Sequence, residues 1–305
     1  MDPVEPWHLG EHRARALAGI ERTPGSGIRD FMPDQHRLFF AQLPFVVAGT
    51  VDAAGAPMAT LLVGGEGFIA SPDPRSLALA AVSPDPAGQR LRAGAPIALL
   101  GIEPHTRRRN RANGRIAFAG ERGLLVAVEQ SFGNCPQYIN PRDLAVDPQA
   151  AAGIETFEGL DAEARAQIAA ADTVFVATAS GPGVERGGVD VSHRGGPAGF
   201  VRIDGDELTI PDYRGNRYFN TLGNLVLEPR CALLFVDFTA GRMLQLQGTA
   251  EVLWNDTSLP HAERTWRFRP SGGFRAASGL RQLAVQPPST DRAAPVAEAP
   301  TSETR

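Results

Sequence analysis

From Phe45 onward the chain is written in short apolar runs separated by turns, and this spacing narrows the folds open to it. FVVAGTV (45–51), MATLLVGG (58–65), GFIAS (67–71), LALAAV (77–82) and PIALLGI (96–102) follow one another closely. An Arg-rich stretch with alternating character, RRRNRANGRIAF (107–118), and GLLVAVEQSFGNCPQYI (123–139) complete the series. The last is expected to be a strand running into a short helix. About six strands in about one hundred residues leave no room for the crossover helices of a parallel sheet. The connections DAAGAP and PDPRS are of turn length. The pattern therefore predicts an antiparallel barrel or sandwich.

A second series follows and repeats the first. IALLGIEPHTRRRNRANGRIA (97–117) aligns without a gap onto CALLFVDFTAGRMLQLQGTAE (231–251), so that Ala98, Leu99, Leu100 and Gly114 stand against Ala232, Leu233, Leu234 and Gly248. GFIA (67–70) matches GFVR (199–202), and FVVAGTV (45–51) is set against VFVATAS (174–180). Each series is preceded by a helix. Asp34 is expected to cap QHRLFFAQL, and LDAEARAQIAAAD (160–172) carries Leu160, Ala164, Ile168 and Ala171 at helical spacing. Matched order and a gapless strand pair favour internal duplication over chance similarity. The expected organisation is an N-terminal extension (1–34), a first barrel (35–145), a linker (146–160) and a second barrel (161–258). A C-terminal extension (259–286), with Trp266, Phe268 and Phe274 docking it on a barrel, and a disordered tail (287–305) follow. Within the N-terminal extension, 11–21 reads as a short helix broken by TPGSG (23–27).

At 305 residues the chain has room for two domains, and a net charge of −4 argues against nucleic acid as a bulk partner. All basic side chains are Arg, so a phosphate site here must use guanidinium forks, backbone amides or hydroxyls. Two cysteines, Cys135 and Cys231, argue against a disulfide scaffold, and the His and Cys positions repeat no metal spacing. The N-terminus lacks the basic and apolar regions of a signal peptide, and no run approaches a membrane span. The expected location is cytoplasmic.

VDVSHRGGPAGFV (189–201), PDYRGNRYFNTLGNLVLEPR (211–230) and RMLQLQGTAEVLW (242–254) resemble the FMN-binding split barrels related to pyridoxamine 5′-phosphate oxidase. GNCPQYI (133–139) is similar to a short motif of a bacterial branch of that superfamily. The resemblance covers about Leu38 to Trp254 and implies a mainly β protein of two tandem antiparallel split β-barrels. Family members usually place FMN where the barrels of a homodimer meet; duplication implies that one chain supplies both, as a pseudo-dimer.

The residues agree with that expectation on one side. Ser192, His193 and Arg194 end a strand; Asn216 and Arg217 stand at the expected helix start, with Asn220 and Thr221 one turn on. Pro211 and Asp212 open the same stretch. A strand-end Arg with a helix-start Arg makes a phosphate clamp. The equivalent strand of the first barrel, MATLLVGG, has no cation, and its loop offers only Gln89 and Arg90. The second barrel is therefore expected to hold the phosphate, with the first site degenerate. By the family's geometry the first barrel lends the opposite wall through Gln130, Ser131, Asn134, Cys135, Gln137 and Tyr138. Alternation sends His193 to the face opposite Ser192 and Arg194, as a solvated turn residue. Arg107, Arg109 and Arg111 share one face, read as solvated, with an anion site as the other reading.

The resemblance implies an FMN-dependent oxidoreductase acting on an unidentified small molecule. The flavin would carry the chemistry, and electrons would come from a free reductant or a separate reductase. The alternative is a non-catalytic flavin- or haem-binding or sensing protein, for which His193 and His261 are the axial candidates. Deazaflavin is a third cofactor reading. Further homodimerisation stays open.

Overall fold

The computed structural model describes residues 5–21, 27–147, 150 and 153–283. The expected disordered tail lies outside them, as does most of TPGSG. Four helices and seventeen strands are present among the described residues. No described helix is long and apolar enough to cross a membrane.

The first series forms β1 (Phe45–Val51), β2 (Pro57–Val63), β3 (Ile69–Asp73), β4 (Ser76–Leu79), β5 (Pro96–Glu103), β6 (Arg108–Gly120) and β7 (Gly123–Gly133). Two short strands follow, β8 (Leu144–Val146) and β9 (Glu155–Glu158). The second series forms β10 (Thr173–Ala179), β11 (Val189–Gly195), β12 (Arg202–Asp204), β13 (Glu207–Tyr213), β14 (Arg230–Asp237), β15 (Arg242–Leu253), β16 (Ala262–Ala277) and β17 (Leu280–Gln282). All recorded pairings are antiparallel. The first sheet runs β2-β1-β5-β6-β7-β4-β3 and the second β11-β10-β14-β15-β16-β13-β12. These are the same order, position for position, which supports duplication as the origin of the chain.

Register corrects the alignment at one point. In the first sheet Val47 faces Leu61 on β2 and Leu100 on β5. In the second, Phe175 faces His193 and Leu234. Since Leu100 and Leu234 are equivalents, Val47 corresponds to Phe175, one residue away from the sequence match.

The helices are α1 (Leu9–Leu17), α2 (Asp34–Ala41), α3 (Ala162–Ala170) and α4 (Asn220–Leu227). Asp161 caps α3 through Ala164 N, whereas Asp34 is the first residue of α2 behind Pro33 and caps nothing. Residues 134–143 form an irregular loop with Tyr138 in left-handed backbone, so the short helix expected there is absent.

The segment 259–286 is no docked extension. It supplies β16, the 16-residue strand between β15 and β13, and then β17. The expected linker is tied down as well, since β9 pairs with β16 and β8 with β17.

Strand alternation builds three apolar cores. On β1, Val46 and Ala48 enter the first barrel, while Phe45 and Val47 face the seam between barrels. On β14, Cys231, Leu233 and Phe235 enter the second barrel, while Ala232, Leu234 and Val236 face the same seam. Strands β1, β2, β5, β10 and β14 thus bury both faces, and the apolar seam fixes the two barrels against each other.

Candidate anion and cofactor site

The seam opens at one end into a narrow pocket of about 90 Å³. The first barrel contributes Arg109 and Arg111 from β6 and the loop residues Asn134, Cys135, Gln137 and Tyr138. The second contributes Ser192, His193 and Arg194 from β11, Asp212, the loop 213–219, the start of α4, and Glu263 and Arg264 from β16.

Arg111 anchors the back of the pocket. Its Nη1 lies 2.6 Å from Asp190 Oδ1 and 3.2 Å from Asn220 Oδ1, and its Nη2 donates to Ser192 Oγ at 2.8 Å. Ser192 Oγ is in turn 2.6 Å from Thr221 Oγ1. Asp212 is shared by Arg194 at 3.1 Å and Arg264 at 2.6 Å, and Glu263 holds Arg264 at 3.2 Å. Arg217 approaches Glu263 at 3.9 Å. Tyr138 stacks on Tyr213 and donates to the Arg214 carbonyl.

Arg109 is different. Among the described residues no carboxylate lies within ion-pair distance of it. Its Nη1 donates instead to His193 Nδ1 at 3.0 Å. A guanidinium only donates, so Nδ1 accepts and the imidazole is neutral. Burial first, then Arg109, Arg194, Arg142 and Arg111, push the His193 pKa well down. Burial, with Arg111 and Arg194 beside it, lowers that of Arg109 to about 9. Five guanidinium groups converge here against the carboxylates of Asp190, Asp212 and Glu263. The Nε atoms of Arg109, Arg111, Arg194 and Arg264 are buried without a partner. This donor surplus suits a dianion such as a phosphate monoester.

Most of the sequence-predicted residues come together in this pocket: Ser192, His193, Arg194, Asp212, Asn216, Arg217, Asn220, Thr221, Asn134, Cys135, Gln137 and Tyr138. Three do not. Pro211 sits inside β13, opposite Thr265. Ser131 is buried in the first barrel, 2.8 Å from His36 Nδ1. Gln130 lines a larger cavity of about 720 Å³, which shares Asn220 with the narrow pocket. Asn216 and Arg217 lie in the loop before α4 rather than at its start, and Arg217 and Phe219 have left-handed backbone.

Two expectations are overturned. His193 is buried, not solvated. Of the three arginines read as a solvated face, Arg107 is a left-handed turn residue outside the strand, while Arg109 and Arg111 enter the pocket. Glu263 and Arg264 were missed because their segment was not read as a strand. The signal for Arg109 and Arg111 was present: the gapless alignment sets them against Met243 and Gln245.

Register extends that comparison to the twin corner of the first barrel. Met58, Thr60, Leu61 and Leu62 stand where Asp190, Ser192, His193 and Arg194 stand in the second. Thr60 is bonded to Asp85, a carboxylate, and the lining there is largely apolar. Of the expected replacements, Gln89 donates to the Pro84 carbonyl, and neither it nor Arg90 lines that corner.

Residues 160–278 match the sequence model described as pyridoxamine 5′-phosphate oxidase. The second barrel belongs to the pyridoxamine 5′-phosphate oxidase-related split-barrel family. The match falls on the second barrel, which gives Arg194, Arg217 and Arg264 to the pocket, and it runs through β16. Proteins of this family generally bind flavins. No curated protein matches the chain. Among solved structures, HupZ of Group A Streptococcus is 15% identical, with a TM-score of 0.28 over 36% of this chain and 89% of its own. A FAD-binding protein from Mesorhizobium loti is 14% identical, with a TM-score of 0.29 over 41% and 99%. Rv2991 from Mycobacterium tuberculosis is 16% identical, with a TM-score of 0.27 over 40% and 88%.

Proposed function

We propose that the chain is an FMN-dependent oxidoreductase that binds one cofactor at the seam of its two barrels. The observation that carries this reading is the guanidinium surplus of the narrow pocket, above all Arg109, which has a buried Nε and, among the described residues, no carboxylate partner. A phosphate dianion supplies the missing charge. Arg109 and Arg194 would hold it, with Arg217 and Arg264 at the rim and Thr221 and the α4 amides below. The adjoining cavity, lined by Asn113, Gln130, Asn220 and Asn224, has the size and amide groups for the ring and ribityl chain. Bound there, FMN supplies the redox chemistry, and the chain's residues orient it and exclude water. The substrate is a small molecule reaching the same cavity, with electrons from a free reductant or a separate reductase.

The haem alternative has less support. His193 Nδ1 accepts from Arg109, which leaves the proton on Nε2 and no free lone pair for iron.

Titration of the purified protein with FMN tests the proposal. The expected result is one FMN per chain, with flavin absorbance retained through gel filtration. The native state should gain about 2.7 kcal/mol at one hundred times Kd. Two flavins per chain would overturn the degenerate first corner. Absence of any shift with FMN, together with a Soret band on adding haem, would overturn the flavin reading, and a shift with deazaflavin alone would move it to that cofactor.

A further inference from the structure

The N-terminal helix is part of the site. Gly10 and Gly223 let α1 and α4 touch backbone to backbone: a Cβ on Gly10 would collide with the Gly223 carbonyl, and one on Gly223 would come 2.8 Å from the Glu11 backbone. This contact brings Glu11 into the wall of the larger cavity. Its carboxylate is buried and, among the described residues, has no arginine within ion-pair distance. Oε2 accepts from the His8 amide at 2.9 Å, and Oε1 accepts from Asn220 Nδ2 at 2.5 Å. The other end of the same Asn220 amide, Oδ1, accepts from Arg111 at the back of the anion pocket. Both ends of Asn220 are therefore committed, and one side chain joins the cavity's carboxyl to the arginine cluster.

We propose that Glu11 is the proton-exchanging residue of the larger cavity, and that Asn220 couples its protonation to an organic phosphate filling the arginine pocket. The proposal rests on the flavin reading for the identity of that phosphate, and on the geometry alone for the coupling. In this role Glu11 gives or takes the proton of a substrate O–H or N–H presented in the cavity, cycling between carboxyl and carboxylate. A proton-exchanging group works best when its pKa is near ambient pH. Burial raises that of Glu11 to about 7, with Asp190 acting in the same direction and the His8 amide, Asn220 and Arg15 opposing.

The sign of the coupling follows from charge. An added dianion makes a neighbouring carboxylate less favourable, so occupancy raises the Glu11 pKa and binding takes up a proton. Affinity for the phosphate ester should then fall as pH rises above about 7, by up to about tenfold for each unit of pKa rise. The other charged groups facing Glu11 or its cavity are His8, His12 and Arg15 on and beside α1, Asp190 on β11, Arg111 through Asn220, and Glu5, Arg29, Asp30, Arg115, Glu129 and Arg186 at the cavity wall. Burial holds His8 down at about 4, so it stays neutral throughout. The ester's own second ionisation, near about 6, acts with opposite sign, since affinity rises as the dianion forms.

Glu11→Gln separates proton exchange from structure. Glutamine stands in for the neutral carboxyl: its one acceptor oxygen can keep the capping-box contact with the His8 amide, an NH2 group replaces the second oxygen, and it cannot ionise. FMN dissociation constants are measured for both proteins from about pH 5.5 to about pH 9. The expected result is weakening above about pH 7 in the wild type and a flat profile over that range in Glu11→Gln, with affinities at about pH 6 within about twofold. An infrared carboxyl band that titrates near neutrality should be present in the wild type and absent from Glu11→Gln. The same pH dependence in both proteins would overturn the proposal. If FMN binds neither protein, the flavin reading fails, and inorganic phosphate becomes the probe: weakening above about pH 7 in the wild type alone upholds the coupling, and its absence removes it.

Discussion

Replacing Arg109 with Met and Arg194 with Leu is expected to weaken FMN binding by at least about 100-fold while the protein stays folded. Each change installs the residue found at the equivalent place in the other barrel, Met243 for Arg109 and Leu62 for Arg194, so each side chain is already accepted by this architecture. A charge-assisted hydrogen bond contributes about 1.5–3 kcal/mol, or about ten- to 150-fold in affinity, and two such bonds are removed. The groups are neighbours, so the single effects should not add strictly. The two singles differ in an informative way. Arg109 carries a desolvated charge without a carboxylate, and Arg109→Met should raise the stability of the unliganded protein while costing affinity. Arg194 is paired with Asp212, and Arg194→Leu should lower both. Arg90, outside the pocket, serves as control: Arg90→Ala should leave affinity unchanged. Isothermal titration with FMN, with thermal melts of the unliganded proteins, decides the matter. Full FMN affinity in the double variant would remove the arginine pocket as the phosphate site.

Strand alternation and turn spacing carried most of the architecture into view, because a half-buried strand has to alternate and a duplicated chain shows its pattern twice. β16 escaped because Pro270, Gly272 and Gly273 punctuate it like a loop. In the folded chain those residues have another cause: β9 and β15 approach so closely that a Cβ at Gly272 would meet the Phe157 carbonyl at 2.6 Å, and one at Gly273 would meet the Gln245 carbonyl. The pocket was legible where it lies on the half resembling a known family, in Ser192, Arg194, Asn220 and Thr221. Arg109 and Arg111 were legible only as cations set against Met243 and Gln245 of the other barrel, not as pocket residues. Alternation shows that these two share a face, but whether that face meets water or a second barrel depends on how the barrels dock. Glu11 was hidden for a related reason: the α1–α4 contact joins Glu11 to Asn220, 209 positions apart.

The second large effect concerns stability and tests whether Arg111 and Asp190 form one unit. Asp190→Met should destabilise the protein by about 3–5 kcal/mol, because it leaves the Arg111 guanidinium buried without its carboxylate. The side chains are 8% and 6% exposed, so water offers little substitute. Ser192 and Asn220 would still accept from Arg111, but as neutral groups. In the twin corner the same two positions are held by Gln245 and Met58, both buried and neither able to form an ion pair. Arg111→Gln added to Asp190→Met therefore recreates a combination the fold already contains, and should return stability to within about 1 kcal/mol of wild type. Urea denaturation of the wild type, both singles and the double gives the coupling directly, provided the slope with denaturant is unchanged. The double variant should recover the fold without recovering the anion site, since Asn220 loses its link to the arginine cluster along with Arg111. If Asp190→Met alone costs less than about 1 kcal/mol, or if the double is no more stable than that single, the pair is not a unit. The chain's retention of a buried charge pair would then need an explanation other than the pocket it supports.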